Sequence, residues 1–588
     1  RAGQRAREQV GIADVTDLVG PLEPAGIGLT RKVANEQRCR AATHVSTDHL
    51  AQRGEQRAII VGIEAREAVL DRRPVAVHAR GQHWTTVRDL LLDSCGVPVP
   101  QHSEKCIVFA MQALTHSGNA AGSGSAPAVT PRLAGPDWWR GAVGYEVYVR
   151  SFQDTDGNGV GDLAGVTQRL PYLASLGIDV VWLTPFFASP GFDHGYDVAD
   201  YLAVDPMLGT LDDWHTLSTR AKELGLRLFV DIVPNHTSSE HEWFRQAVTD
   251  PTGPFRDYYL WAEPSPGGGP PNNWVSHFGG PAWTLDPGGS GQYYCHLFLP
   301  EQPDLNWANP KVMQEFAAIL RTWCERGADG FRIDVAHGLT KDPALRSNPQ
   351  LREVHPGMHP MDVFASFQHI HDLHRHETAV LFRQWRDAVD DLGAVLVGEM
   401  DTRDVDRFSE YVKDGNALHA AFVLQVGLSE WEPEATVTTM LEYQAKSNGG
   451  AAWEVSNHDQ ARAVSRYGGG ELGLRRTLAL TTLMGAFDGM LFLYQGEELG
   501  LPDANVLGHI EDPMSARNGA GMWSRDVARG PMPWSCDDDK GFSSAGPVAF
   551  PAAPWAGSPP NRPHVHGPPR RRATRTGGAP AGPAPLPG

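Results

Sequence analysis

Residues 226–236 have the sequence LRLFVDIVPNH, in which an apolar run ends in an asparagine and a histidine. Near-continuous Val, Leu, Ile and Phe are typical of a strand that is buried on both faces of a parallel sheet. Similar runs occupy residues 141–149, 178–183, 330–333, 394–398, 418–426, 451–456 and 490–494. Helical patterns fill the intervals, for example at 211–224, 310–326, 379–392 and 475–487. Eight strand signals alternating with helix signals predict an α/β fold, a parallel (β/α)8 barrel.

The predicted barrel has an insertion, and the segments before and after the barrel differ from it in composition. The interval between the third and fourth runs is long and rich in Trp, Pro, Gly and Tyr, which predicts an inserted subdomain. We therefore expect an unassigned flank at 1–110, a flexible linker at 111–135, barrel segments at 136–234 and 307–534, the inserted subdomain at 235–306 and a disordered Pro/Gly-rich tail at 535–588. We expect the flank to be dispensable or not native sequence, with translation beginning near Met111.

The overall composition excludes several classes of protein. With 41% hydrophobic and 21% charged residues, the chain of 588 residues has the balance of a globular protein. A net charge of −19 argues against nucleic-acid binding, which needs clustered Lys and Arg. No apolar run approaches the ~18 residues that span a bilayer, so we expect no membrane association. Because no apolar segment follows the basic residues at the N-terminus, we expect a cytoplasmic location.

Polar and charged residues follow the predicted strands at their C-terminal ends, where barrel enzymes carry their catalytic groups. They are Asp193, Tyr196 and Asp197 after the second strand, Asp231, Asn235 and His236 at the third, Arg332 and Asp334 at the fourth, Glu399 at the fifth, and Asn457, His458 and Asp459 at the seventh. Carboxylates from different strands suit glycoside hydrolysis, which needs one carboxylate as nucleophile and one carboxylic acid as proton donor. An arginine beside the nucleophile would keep it ionised.

These segments resemble the α-amylase superfamily, glycoside hydrolase family thirteen, over about residues 137–534. The four main motifs of that family are similar to DIVPNH at 231–236, GFRIDVAHG at 330–338, VGEM at 397–400 and SNHD at 456–459. QPDLN at 302–306 is similar to an additional motif of the oligo-1,6-glucosidase branch, which includes exo-acting α-glucosidases. The family follows an element like RGPMPW, at 529–534, with a β-sandwich, whereas no strand pattern follows it in this sequence.

The resemblance implies a role for each of these side chains. It implies Asp334 as nucleophile, Glu399 as general acid and base, Asp459 as a third carboxylate on the sugar hydroxyls, Arg332, His236 and His458 as their partners in substrate binding, and Asp193 and Tyr196 as the residues that hold the terminal glucose. The implied activity is that of a retaining, exo-acting α-glucosidase on maltose-type oligosaccharides. An oligo-1,6-glucosidase and a transglycosylating relative such as a trehalose synthase remain the alternatives, because hydrolysis and transfer share one covalent intermediate.

A second signal is the sequence DTDGNGVGD at 154–162. Oxygen ligands at alternating positions, with glycines for the tight turn, are typical of a cation-binding loop. The candidate ligands are Asp154, Asp156, Asn158, the Val160 carbonyl and Asp162. We expect a structural Ca²⁺ or Mg²⁺ there and no organic cofactor. The alternative is a turn rich in Asp and Asn that binds no ion.

Two further patterns allow a functional and a structural interpretation. Trp261, Trp274, Trp283, Tyr293 and Tyr294 could stack on sugar rings, but we expect most of them to form the core of the inserted subdomain. The histidine-rich stretch IHDLHRHE at 370–377 could bind a metal, but we expect an exposed helical or loop segment instead.

Overall fold

The computed structural model describes residues 133, 135–415, 417–506, 508–518, 523–535, 541–543 and 551–553, together with two short strands at 76–79 and 83–86. Those strands, Ala76–Ala79 and His83–Thr86, form a two-stranded sheet. The rest of the predicted flank at 1–110, nearly all of the predicted linker at 111–135 and most of the predicted tail at 535–588 lie outside the described residues.

Eight parallel strands close into a barrel, as the sequence predicts. In chain order they are β1 (Val143–Val147), β2 (Val180–Leu183), β3 (Arg227–Ile232), β4 (Gly330–Ile333), β5 (Val395–Gly398), β6 (Ala420–Phe422), β7 (Ala451–Glu454) and β8 (Met490–Tyr494). Each strand pairs with its sequence neighbour, and β8 pairs with β1 to close the ring. The sixth predicted run, 418–426, is shorter as a strand, because a helical turn at Leu424–Gly427 takes up its apolar end.

The helices surround the barrel. They are Leu163–Ser175, Leu211–Glu223, Glu242–Thr249, Pro310–Glu325, Pro360–Phe364, His376–Val389, Val405–Val412, Leu424–Gly427, Pro433–Ser447, Ala463–Arg466, Gly470–Met484 and Pro513–Asn518. Short 3-10 turns occupy Val149–Ser151, Arg256–Tyr258, Asp390–Leu392, Glu497–Leu499 and Arg525–Ala528. Local sequence fixes several of the starts. Thr210 and Asp213 form a reciprocal capping box before Leu211–Glu223, and Asn309 caps the helix that begins with Pro310.

Successive side chains along each strand point to opposite sides, so the strands contribute to two separate layers of core. In β2, Val180 and Trp182 face the barrel interior with Phe229 and Phe492, whereas Val181 and Leu183 pack against the outer helices. The interior is tightly filled, since a Cβ on Gly144 of β1 would lie 2.4 Å from the Phe492 ring. The barrel is therefore a packed core rather than a pore, and its chemistry belongs to the carboxyl ends of the strands.

The inserted subdomain follows β3, as predicted. Its three short strands, Trp261–Ala262, Trp283–Leu285 and Tyr293–Cys295, form an antiparallel sheet with the last strand in the middle. Trp274, Trp283 and Tyr294 are buried, and Trp274 and Trp283 pack with Cys295 and Leu297 in a small core. These three aromatic residues therefore have the structural role that the sequence favours.

A second antiparallel pair of strands, Phe187–Ala188 with Asp200–Val204, follows β2. Among the described residues, no helix is both long and apolar enough to span a membrane.

Candidate active site

One buried guanidinium joins three carboxylates at the carboxyl ends of β3, β4 and β5. Arg332 Nη1 lies 2.6 Å from Asp334 Oδ1 and 3.1 Å from Asp231 Oδ1. Its Nη2 lies 3.1 Å from Glu399 Oε2. Arg332 and Asp231 are directly paired in the register of β4 with β3, so the fold itself brings them together. The face of the Trp182 ring lies 4.9 Å from the guanidinium carbon and completes its apolar surroundings.

The charges in this cluster do not cancel. Burial raises the pKa of Asp231 to about 7, although Arg332 acts in the opposite direction. Burial also raises the pKa of Asp334 well above its usual range, where the neighbouring charge of Glu399 adds to the effect and Arg332 opposes it. One positive charge cannot balance three carboxylates in a site that water scarcely reaches. Burial therefore favours the acid form within this cluster and Arg332 favours the ionised form, opposing effects that suit a site which needs one carboxylate and one carboxylic acid.

The third predicted carboxylate, Asp459, follows β7 and is held by two arginines that the sequence analysis did not single out. Its Oδ1 lies 2.9 Å from Arg529 Nη2 and 3.2 Å from Arg525 Nη1. Burial would raise the pKa of Asp459, but the interactions with His458, Arg525 and Arg529 outweigh it and hold the pKa well below its usual range. Asp459 is therefore ionised and can accept hydrogen bonds from sugar hydroxyls.

Asp193 lies at the same end of the barrel and is also bound to Arg525. Arg525 Nη2 is 2.8 Å from Asp193 Oδ1 and 2.8 Å from Asp512 Oδ1, so this side chain links three carboxylates from separate loops. Gln302 of the QPDLN motif donates to Asp193 Oδ2 at 3.3 Å and lies 3.1 Å from His236 Nε2. The two arginines and Gln302 together join the loops after β2, β3, β7 and β8 into one wall.

Tyr196 and His458 form a stacked pair in the site. Their rings stack with centroids 5.2 Å apart and planes 9° from parallel. The Tyr196 hydroxyl donates to Asp231 Oδ2 at 3.1 Å and lies 2.7 Å from His458 Nε2. Burial lowers the pKa of His458 to about 3, and the positive charges of Arg529 and Arg332 add to this effect. The imidazole is therefore neutral at the pH at which most enzymes work.

Asn235 and Asp304 anchor the inserted subdomain beside the site. Asp304 Oδ1 accepts from Asn235 Nδ2 at 2.9 Å, and Asp304 Oδ2 lies 3.1 Å from the Lys341 ammonium. Lys341 also donates to Asn235 Oδ1 at 3.0 Å and to the Gly338 carbonyl. Asp197, by contrast, has a local role: its carboxylate accepts from the backbone amides of residues 192 and 193.

The structure thus brings together all eight residues predicted for catalysis and substrate binding. These are Asp193, Tyr196, His236, Arg332, Asp334, Glu399, His458 and Asp459. The sequence did not single out Arg525, Arg529 and Glu146, which contact them, or Lys341, which contacts Asn235 and Asp304 beside them. Arg529 begins the quoted RGPMPW element and Gln302 begins QPDLN, so both lay within recognised motifs. Arg525 carries no local signal of this kind.

A second group of carboxylates lies in the loop between β1 and the helix Leu163–Ser175. Carboxylate oxygens of Asp154, Asp156 and Asp162 all lie within 4.8 Å of one another. Asn158 Oδ1 accepts from the Val160 amide at 2.7 Å, so the other two predicted ligands complete the turn. Asp162 also caps the following helix by accepting from Gly165 N at 2.6 Å. The donor atoms are all oxygen, a set that suits Ca²⁺ or Mg²⁺.

The histidine-rich stretch at 370–377 is a loop followed by the first turn of a helix. His374 stacks on His337 with centroids 4.7 Å apart, and His371 Nδ1 lies 3.4 Å from Asp342 Oδ2. Within the described part of the chain, Asp154, Asp156 and Asp162 form the only group of three or more His, Cys, Asp or Glu side chains that converges closely enough for a metal. The stretch is less exposed than expected, because His371 and His374 are half-buried.

Most of the described chain matches known proteins. The sequence model of the family described as "Alpha amylase, catalytic domain" matches residues 146–555. A protein named "Probable alpha-glucosidase" from Rhizobium meliloti (strain 1021) is 40% identical over 424 residues, which cover 70% of this chain and 76% of the relative. Trehalose-6-phosphate hydrolase from Escherichia coli (strain K12) is 37% identical over 445 residues, with 70% and 78% covered. The crystal structure of the alpha-glucosyl transfer enzyme XgtA has a TM-score of 0.67 at 38% identity, with 71% and 79% covered.

Proposed function

The chain belongs to the α-amylase family of glycoside hydrolases, and from this premise we propose that it is a retaining, exo-acting α-glucosidase. Its substrates are small oligosaccharides with a terminal α-linked glucose at the non-reducing end. The observation that carries the proposal is the contact of Arg332 with both Asp334 and Glu399 at the ends of adjacent strands. It supports the double-displacement reaction, which needs two carboxyl groups on either side of one anomeric carbon.

Asp334 and Glu399 divide the chemistry between them. Asp334 attacks the anomeric carbon while Glu399, in its acid form, gives its proton to the leaving glycosidic oxygen. The C–O bond to the leaving sugar breaks as the ester bond to Asp334 forms. Glu399 then takes a proton from a water molecule, which attacks the same carbon and releases glucose with its α configuration retained. Arg332 orients both carboxylates, and Asp459 accepts hydrogen bonds from the hydroxyls of the glucose ring.

Exo action is supported by the closed end of the site. Arg525 joins Asp193 to Asp459 and Asp512 by direct ion pairs, and both Arg525 and Asp193 are buried. A sugar chain cannot pass between side chains that are held together in this way. The site therefore accepts one terminal glucose against this wall, with the remainder of the substrate directed outward past Glu399.

The linkage preference depends on the side of the site where the leaving sugar binds. Val335 follows the nucleophile, and its amide donates to Glu399 Oε2 at 2.8 Å. Its apolar side chain offers the leaving sugar no hydrogen bond, so it discriminates between linkages by ~1–3 kcal/mol at most. We propose a preference for maltose-type α-1,4 bonds; the relative named as a probable alpha-glucosidase supports α-glucosidase activity in general. Glucosyl transfer is the second candidate, because XgtA transfers α-glucosyl groups and has the same fold.

The experiment that tests the proposal is a parallel assay of p-nitrophenyl α-glucoside, maltose, isomaltose, trehalose, trehalose-6-phosphate and sucrose, with products analysed by NMR. The expected result is release of α-glucose, fastest from maltose among the natural disaccharides. Asp334→Asn and Glu399→Gln should each lose at least a thousandfold in kcat. Initial release of β-glucose would refute retention. A tenfold higher kcat/KM for isomaltose would move the assignment to an oligo-1,6-glucosidase, and efficient formation of new glucosides to a transferase.

We also propose that the loop at 154–162 binds Ca²⁺ or Mg²⁺ as a structural ion. The convergence of Asp154, Asp156 and Asp162 supports this, since three carboxylates at such distances repel one another unless a cation lies between them. The ion would stabilise the fold by binding the native state, outside the chemistry described above. EDTA should lower the melting temperature of the wild type, and Asp156→Asn should reduce that effect. An unchanged melting temperature in EDTA would contradict the proposal.

A cytoplasmic location is a further part of the proposal. The two described cysteines, Cys295 and Cys324, are both free thiols, as is usual in a reducing compartment. Fractionation of cells that express the chain would test it, with enzyme activity in the soluble cell contents as the expected result.

A further inference from the structure

Glu146 is a buried carboxyl group that the reaction described above does not use. It lies on β1, inside the barrel, with 1% of its surface exposed. Its Oε1 is 2.5 Å from His458 Nδ1, and its Oε2 has no hydrogen-bond partner among the described residues. Its neighbours across the barrel are charged, which makes a carboxyl group with a free oxygen at this position unusual.

We propose that Glu146 is a positioning residue, which shares a proton with His458 Nδ1 and thereby directs the Nε2–H of His458 toward Asp459. The inference rests on the proposed function, because the orientation of His458 and Asp459 matters only if they hold the glucose ring. Glu146 itself does not touch the substrate. Its effect reaches the sugar through the imidazole.

The contacts of His458 Nε2 require a proton on that nitrogen. Asp459 Oδ2 lies 3.3 Å away and is ionised, so an unprotonated nitrogen would face a carboxylate with its lone pair. The Tyr196 oxygen lies 2.7 Å away, and its own proton is donated to Asp231 Oδ2 at 3.1 Å. Tyr196 therefore also accepts from Nε2. We assign this tautomer because it leaves no lone pair of His458 facing the Asp459 carboxylate.

A proton must then also lie between Glu146 and His458 Nδ1. A neutral imidazole with its hydrogen on Nε2 has a lone pair on Nδ1, which needs a donor at 2.5 Å. Glu146 in its acid form supplies that donor. If the proton instead moves to Nδ1, the pair becomes a carboxylate and an imidazolium, and Nε2 still carries its hydrogen. The orientation of His458 therefore depends on the pair holding both protons, and not on whether Glu146 or Nδ1 carries the shared one.

The surroundings of both groups keep this proton in place. Burial raises the pKa of Glu146 well above its usual range, and the negative charge of Glu454 on β7 adds to the effect. The remaining groups that face Glu146 or His458 are Arg332 on β4, Asp231 on β3, Asp459 after β7, Tyr494 on β8, and Arg525 and Arg529 after β8. Tyr148 and Tyr196 both stack on the His458 ring, with centroids 5.8 and 5.2 Å away, and these contacts favour its present orientation.

Loss of the shared proton at high pH should therefore reduce activity. An ionised Glu146 draws the single imidazole proton to Nδ1, and Nε2 then presents a lone pair to Asp459. Glutamine at this position has an N–H donor that does not ionise, so Glu146→Gln should keep the orientation at all pH values. Methionine has a similar volume but no donor, so Glu146→Met should lose the orientation at all pH values.

The test is the dependence of kcat and kcat/KM on pH for p-nitrophenyl α-glucoside, after wild-type activity has established the proposed function. Glu146→Gln should remain within about threefold of the wild type at pH 6, and its alkaline decline should lie at least one pH unit higher. Glu146→Met should lose about tenfold to a hundredfold in kcat/KM, the effect of one unsatisfied buried hydrogen bond.

Glu498→Gln is the matched control, because Glu498 is also a buried carboxyl group, in the 3-10 turn after β8, but binds the hydroxyls of Tyr145 and Tyr172 instead. It should leave the alkaline decline where the wild type has it. Superimposable pH profiles for the wild type and Glu146→Gln would overturn the proposal. So would a soluble, folded Glu146→Met enzyme with wild-type kcat/KM. If Glu146→Met fails to fold, the profile of Glu146→Gln decides the question alone.

Discussion

Replacing Lys341 by methionine should destabilise the protein strongly, although Lys341 lies outside the reacting groups. Its ammonium is 3.1 Å from Asp304 Oδ2, and the two side chains are 2% and 0% exposed. Asp304 also accepts from Asn235 Nδ2 at 2.9 Å and from Leu297 N at 3.1 Å, so its carboxylate stays in place after the substitution. Removing one partner of a buried ion pair costs ~3–5 kcal/mol, because the other charge remains without compensation.

The expected change in melting temperature follows from the size of the barrel. An unfolding entropy of ~2.1 cal/mol/K per residue over roughly 400 residues gives about 0.8 kcal/mol/K, so the midpoint should fall by about 4–6 °C. Thermal unfolding followed by circular dichroism at one fixed scan rate measures the shift. We expect kcat/KM for maltose to fall as well, since Lys341 links the loop after Asp334 to the inserted subdomain through Asp304.

Two controls separate this explanation from a general effect of losing a lysine. Lys446→Met removes a surface pair with Asp406, in which the side chains are 45% and 81% exposed, and should shift the midpoint by less than about 1 °C. The double variant Lys341→Met/Asp304→Asn removes both buried charges and should recover at least half of the loss. A midpoint for Lys341→Met within 1 °C of the wild type would refute the reasoning. Strict additivity in the double variant would also refute it.

Three further results are expected. Arg525→Met should lower kcat/KM for maltose by at least a hundredfold, because it leaves two buried carboxylates unpaired at the wall of the site; steady-state kinetics that match the exposed control Arg517→Met would contradict this. Glu454→Gln should flatten the loss of stability toward alkaline pH. Burial raises the pKa of Glu454 to about 8. The contribution of its acid form to the free energy of unfolding is therefore complete below the unfolded-state pKa and is lost as the pH rises through about 8. Melting curves from pH 5 to 9 would show this as a smaller decline than in the wild type, and equal declines would count against it. Gly144→Ala should cost ~1–3 kcal/mol in a denaturant titration, since its Cβ would overlap the Phe492 ring, and an unchanged midpoint would show that the ring can move.

The sequence predicts the barrel well because its strands are nearly continuous apolar runs. For β4 and β8 the predicted and observed bounds agree residue for residue, at Gly330–Ile333 and Met490–Tyr494. The predicted run at 418–426 fails at its end, because the apolar residues of Leu424–Gly427 continue as a helical turn rather than as strand. Hydrophobicity alone cannot separate a buried strand from a short buried helix.

Local sequence also predicts only one part of the candidate site, because the other part depends on contacts between residues that are far apart in the chain. Asp334 and Glu399 directly follow their strands, so their meeting at one end follows from the barrel topology alone. Arg525 comes from a 3-10 turn beyond β8, and its three carboxylate partners are 13, 66 and 332 residues away. No pattern in the neighbouring sequence predicts such contacts, since they depend on how the loops after β2, β7 and β8 converge. Only a structure could have shown that this arginine closes the site.

Glu146 differs from Arg525, because the sequence did contain a signal for it. It lies inside a strand that is otherwise apolar and buried, where an ionisable group costs free energy unless another group satisfies it. Asp231 on β3, Arg332 on β4 and Glu454 on β7 interrupt their strands in the same way, and each lies in the C-terminal half of its strand. Asp231 and Arg332 belong to the carboxylate cluster of the site, and Glu146 contacts His458. In this barrel, an ionisable residue in the C-terminal half of a strand is thus itself an indication of the active site, and one that can be obtained before any motif is recognised.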